Sequence, residues 1–152
     1  MKLTKNFSLS ELTYTNPDIK KRFGIVNEPT EEVIENLKTL SETILQPIRD
    51  HFKIPIIITS GYRNEDYNAI IGGANGSDHT KGLAADIDVN ERNKEVFEFI
   101  LKNLEFGTLI WEFGTPFPSG NPDWIHVAIG KKKKVLNAVR KKGKTEYHII
   151  PV

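Results

Sequence analysis

The sequence predicts an α+β fold, a small and mainly antiparallel sheet flanked by helices. Helical periodicity dominates its first half, while short β-branched or alternating segments cluster in the second. No βαβ unit repeats, which argues against a parallel, doubly wound sheet. At 152 residues, with 38% hydrophobic and 27% charged side chains, the chain fits one domain over residues 1–152 with a single core.

The elements follow in order. Phe7 to Leu12 predicts a short helical turn, with Ser8 as N-cap and Glu11 completing a capping box. Asn27 to Thr30 forms a loop ending in a threonine N-cap, and Glu31 and Glu32 suit the helix dipole that follows. Val33, Leu37, Leu40, Ile44 and Ile48, joined by Ile34, Leu45 and Phe52, mark one face of an amphipathic helix. Pro47 lacks an amide proton and is expected to kink or segment it. Pro55 to Thr59 is short, apolar and β-branched, so a buried strand fits, with a short helix over Arg63 to Ile71. Gly72 to Gly76 is a flexible loop. Leu83 to Val89 alternates apolar and acidic residues as a strand does, and Glu91 to Leu104 returns to helical spacing. Thr108 to Phe113 and Trp124 to Ile129 give two further strands around a loop rich in proline and glycine. Val135 to Val139 and Tyr147 to Ile150 pair as a terminal hairpin around Lys142-Gly143.

Composition removes several function classes. No apolar run approaches the roughly 20 residues of a membrane helix. The opening residues lack the apolar core of a signal peptide, so synthesis in the cytoplasm without a Sec-type route is expected. With no cysteine, disulfides, thiolate zinc sites and cysteine nucleophiles are excluded. A metal site must use His, Asp and Glu, and only His51, His79, His126 and His148 are available. Net charge is +1, yet residues 131–152 hold eight Lys or Arg against Glu146 alone. This basic end reads as a solvated, packed hairpin or as a grip for an anionic partner such as a cell-wall polymer or nucleic acid. Nucleic acid is not the expected partner, and a monomer is.

Ser77 to Asp86 is the most informative stretch. His79 follows the glycine loop, and a bend at Gly82 would bring its imidazole toward a carboxylate on the next strand. Asp86 and Asp88 share a strand face, and spacing alone does not choose between them. His126, on a later strand, supplies a third donor. Three protein ligands leave a position for water, the arrangement of a catalytic zinc. Asp123, three residues before His126, is the candidate base. Arg63 is the candidate cation for a developing oxyanion.

Each signal is weak when taken singly. His-x6-Asp recurs by chance, Asp123 is equally a turn residue in Asn-Pro-Asp, and Arg63 has Glu65 and Asp66 as nearby partners. His51, at a helix end, and His148, in a terminal strand, read as structural. Trp111 and Trp124 read as core or pocket walls.

In combination these residues resemble the zinc D-Ala-D-Ala carboxypeptidase family of cell-wall peptidases, in its compact single-domain branch. Ser77, His79, Gly82, Ala84 and Asp86 match a Ser-x-His-x-x-Gly-x-Ala-x-Asp signature. Ser60-Gly61-Tyr62-Arg63 matches a second element, and Asp123 with His126 matches a third. Asn6 to Leu12, Leu45 to Arg49 and Gly72-Gly73 are also similar, so the likeness covers about residues 6 to 130. The resemblance implies one zinc ion on His79, Asp86 and His126, preferring Asp86 to Asp88. It implies Asp123 as general base, Arg63 near the scissile carbonyl as oxyanion stabiliser or carboxylate anchor, and Ser77 lining the pocket and helping to hold substrate; Trp124, as a pocket wall, is a further candidate for substrate contact. It also implies the fold shared by these peptidases and the Hedgehog signalling domain, a group in which fold and zinc need not mean catalysis. Asp78 departs from the pattern, and is expected to orient His79 or to disfavour acidic substrates.

The expected activity is hydrolysis of a D-Ala-D-Ala or L-Ala-D-Glu bond in peptidoglycan stem peptides. A phage endolysin reaching the wall by holin-type release fits the absent leader. The alternative from another class is a non-catalytic wall-binding or virion structural module, and Asp123 is the feature that argues against it.

Overall fold

Capping rather than apolar content starts several helices of the computed structural model, which describes residues 1–152. Helix α1 (Leu9–Leu12) opens on the expected box: Ser8 Oγ accepts from the Glu11 amide, and Glu11 accepts from the Ser8 amide. Helix α2 (Pro17–Phe23) was not expected. Asn16 accepts from the amides of Asp18 and Ile19, Pro17 sits in the first turn, and Gly24 closes the helix at φ +64°. None of its residues is buried, so it carries no apolar period to read.

The expected long helix is divided. Helix α3 (Glu31–Leu40), capped by Thr30, runs into a π-helical turn at Ser41–Leu45 and then helix α4 (Gln46–Phe52). Pro47 lies in the first turn of α4. The Gln46 amide reaches back to the Ser41 carbonyl, so the wider turn absorbs the register change beside a residue that donates no hydrogen bond.

Strand β1 (Ile57–Ser60), helix α5 (Glu65–Ile70), strand β2 (Ala84–Asp88) and helix α6 (Asn93–Asn103) follow. Strands β3 (Thr108–Glu112), β4 (Trp124–Ala128), β5 (Lys134–Lys141) and β6 (Lys144–Ile149) complete the chain. The six strands lie in the order β1-β2-β4-β3-β5-β6. Only β3 and β5 are parallel. The α+β fold with a mainly antiparallel sheet is the one expected. The basic hairpin is longer than its apolar residues suggested, and it extends the sheet.

Alternation divides the sheet into two faces. Ile87, Leu109, Trp111, Ile125, Val127 and Val135 join the helices in a core that runs from Leu3 to Ile150. Each large side chain buried there contributes about 1.5–3 kcal/mol. The opposite face presents Asp86, Glu112, Trp124 and His126 beside a small apolar cluster of Ile110, Leu136 and Ala138. This second face is the floor of a cleft. No helix is long and apolar enough to cross a membrane.

Candidate active site

The site begins with strand register. Asp86 on β2 lies directly opposite His126 on β4, and both project from the cleft face. His126 Nδ1 is 3.0 Å from Asp86 Oδ1. His79 arrives from a 3-10 turn over Asp78–Lys81, where Ser77 Oγ accepts the His79 amide. Gly82 ends that turn at φ +73°, and an added Cβ there would strike Val33. The bend delivers His79 Nε2 to 3.3 Å from the same Asp86 oxygen.

Proton bookkeeping shows what this arrangement needs. His79 is buried, and its Nδ1 donates to the Gly61 carbonyl at 2.7 Å. A neutral His79 therefore turns the lone pair of Nε2 toward Asp86 Oδ1, acceptor against acceptor. Such a contact calls for a proton or a metal cation between them. Zinc bonds of about 2.0–2.1 Å at tetrahedral angles set neighbouring donors roughly 3.3 Å apart. The two separations from Asp86 are 3.3 and 3.0 Å, and one donor atom from each of the three residues lies within 4.8 Å of the others. The residues fit a zinc ion. Burial alone would push the Asp86 carboxyl up, but the two imidazoles together hold it well below the usual carboxylate range.

The sequence profile of peptidase M15 matches residues 5–128, a span that includes all three donors. The chain belongs to the peptidase M15 family. This is the zinc D-Ala-D-Ala carboxypeptidase family, whose members are zinc-dependent metallopeptidases with peptidoglycan as the implied substrate class. No curated protein matches the chain.

Within this M15 chain the other candidate residues fall into distinct places. Asp88 shares the cleft face but accepts from the Asn90 amide and from Asn93 Nδ2, so it caps the next turn. Arg63 lines the cleft of about 500 Å³ and pairs with neither Glu65 nor Asp66. Its Nε donates to Asn68 Oδ1 at 3.1 Å and its Nη1 to Ser60 Oγ at 2.8 Å. Burial draws its pKa below the ordinary value, while Asp86 and then Tyr67 oppose that shift. Ser77 lines the cleft, but its hydroxyl is engaged in capping the turn of His79. Trp124 forms a cleft wall with Phe113, ring centres 5.4 Å apart. Trp111 belongs to the core face and packs on Phe97.

One expectation changes. The Gly61 carbonyl, rather than Asp78, orients the His79 ring. Gly61 is needed here because a Cβ would collide with the Leu12 carbonyl, where α1 packs on this segment. Asp123 is exposed and is not among the residues lining the cleft. It sits in the bend just before β4, where its amide donates to the Glu112 carbonyl.

The acid that does line the cleft is Glu112, at the end of β3. It is buried, and its pKa is raised to about 7 by desolvation and by the Asp86 carboxylate, with His126 opposing. Sequence reasoning passed over it, although an acid in phase with Ile110 in Leu109-Ile110-Trp111-Glu112 was the available signal. Asn68 was also missed. It is buried and ties Arg63 to the Ala74 carbonyl of the glycine loop, and a Cβ on Gly73 would collide with its amide. His51 stacks on Phe99, and exposed His148 lies 3.8 Å from Glu146. Neither histidine approaches the cleft.

Proposed function

We propose that this chain hydrolyses a peptide bond in bacterial peptidoglycan stem peptides, of the D-Ala-D-Ala carboxypeptidase or L-Ala-D-Glu endopeptidase type. One observation carries the reading: two imidazoles converge on one carboxylate at zinc-ligand spacing, beside a buried glutamate in an open cleft. His79 Nε2, Asp86 Oδ1 and His126 Nδ1 would hold the ion. When bound, zinc supplies a Lewis acid for the scissile carbonyl and an acidified water near neutrality.

The chain's own groups supply the rest. Glu112 is the proton carrier in place of Asp123, taking a proton from the attacking water and returning it to the leaving amine. It lines the cleft beside the donor residues, and without the ion burial and the Asp86 carboxylate raise its pKa to about 7. Arg63, braced by Asn68 and Ser60, stabilises charge developing on the carbonyl oxygen. Trp124 and Phe113 wall the substrate, and Ser77 positions His79. An endolysin-type role at the wall, after holin-type release, is part of this proposal and rests on the substrate class.

The test is digestion of purified peptidoglycan, with products identified by mass spectrometry. Release should stop with a chelator and return with zinc. E112Q should lower kcat by about 10²–10⁴-fold while zinc still binds, and D123N should stay within about threefold of the parent. Release that ignores the chelator would end the metallopeptidase reading. A large loss in D123N with a small one in E112Q would return the base to Asp123.

A further inference from the structure

The cleft does not stop at the metal-ligating residues. Its far wall comes from the terminal hairpin, through Arg140 on β5 and Thr145 and Tyr147 on β6. These residues lie beyond the span matched by the M15 profile, which ends at 128. They reach the site because β5 pairs in parallel with β3, with Ala138 opposite Glu112. Two residues further along β5, Arg140 projects from the same face as Leu136 and Ala138.

Arg140 is held but not neutralised. Its guanidinium lies 4.4 Å over the Phe113 ring, and Phe113 packs on Trp124. The side chain therefore leans along the cleft toward β4. It forms no ion pair and no hydrogen bond with the chain. Cation–π contact seats the guanidinium on the ring and leaves its N–H groups available to a carboxylate. Arg63, the other arginine lining the cleft, already directs Nε and Nη1 to Asn68 and Ser60. Of the hairpin residues that line the cleft, Arg140 is the charged one, so an anionic substrate group at that wall meets its guanidinium.

The register gives the distance. His126 pairs with Ile110, which pairs with Leu136, and Arg140 lies four residues beyond Leu136. Two strand spacings and four residues put the two Cα atoms about 16 Å apart. The arginine side chain, reaching back over Phe113, shortens this to about three residues of extended peptide. We propose that Arg140, seated on Phe113 beside Thr145 and Tyr147, is an anion subsite for a substrate carboxylate about three residues from the scissile bond. This rests on the peptidase reading above, and it makes the basic hairpin a specificity element.

The probes are two pentapeptides, L-Ala-γ-D-Glu-L-Lys-D-Ala-D-Ala with the α-carboxyl of D-Glu either free or amidated. Release of D-Ala is read, because that carboxyl lies three residues from the D-Ala-D-Ala bond; cleavage at L-Ala-D-Glu instead would overturn the subsite. The zinc-loaded parent should favour the free acid by about ten- to a hundredfold, the range of a charge-assisted hydrogen bond, with the difference in KM. R140Q should bring the two peptides level, and R140K should restore part of the preference. K141Q serves as a charge control on the neighbouring residue and should keep the preference. Binding to zinc-loaded E112Q and to E112Q/R140Q, followed by Trp124 fluorescence, reads the subsite without turnover. Turnover of neither peptide, with the free acid still bound selectively through Arg140, would fault the peptidase reading and keep the subsite. A preference that survives R140Q, or is lost equally in K141Q, would overturn the subsite.

Discussion

The two faces of the sheet are built from the same strands and obey opposite rules. On the helix side Leu109, Trp111, Ile125 and Val127 are at most 1% exposed and their neighbours are apolar. On the cleft side the intervening positions hold Glu112, Trp124 and His126, with Asp86 from β2. One face lowers the free energy of the fold, and the other gathers polar groups that desolvation and like charge make costly. The contrast teaches that the site is held by its surroundings. Asp86 rests between two imidazoles, His79 on the Gly61 carbonyl, and Arg63 on Asn68 and Ser60.

Substitutions on the two faces should therefore separate activity from stability. D86A should abolish zinc binding and lower peptidoglycan hydrolysis by at least about a thousandfold, read by metal analysis and product release. Its near-UV circular dichroism should keep the Trp111 signal. W111A should do the reverse, costing about 3–5 kcal/mol in denaturant unfolding with zinc affinity retained at temperatures where it remains folded.

Glu112 makes the cleft face respond to pH. Its pKa is about 7 in the fold against an ordinary 4.5, so the folded state binds the extra proton between those values. Stability from this group is present below the lower value and is lost as pH rises toward 7. In chelator-treated protein, E112Q should gain relative to the parent across pH 4.5–7, levelling at about 2–3 kcal/mol. A pH-independent difference between the two would remove the burial argument for Glu112. The smallest effect lies far from either polar cluster: T30A should cost about 1 kcal/mol by leaving the Val33 amide uncapped at the start of α3.

Legibility followed the range of each interaction. Ser8 with Glu11, and Thr30 before two acids, are local hydrogen-bonding patterns, and both caps formed as read. Helix α2 escaped because a cap and a proline at its start are its only signals and no residue in it is buried. Pro47 announced a disturbance in the long helix, but the π-helical turn that absorbs it lies before the proline, where nothing in the residues marks it. Asp123 was favoured by its place three residues before His126 and by the family resemblance. Glu112, fourteen residues before His126, reaches the cleft through β3–β4 pairing.

The donor set His79, Asp86 and His126 followed from the family resemblance, since spacing left Asp86 and Asp88 open; local sequence specified the α+β class, the caps of α1 and α3 and the phase of the strands. Those properties depend on side-chain chemistry and periods of two or 3.6 residues, which any short window contains. Tertiary structure alone decided which carbonyl sets the His79 tautomer, that Glu112 rather than Asp123 lines the cleft, and that Arg140 from the basic hairpin joins it. Each of those depends on which distant strands become neighbours. That pairing is settled by the packing of the whole chain.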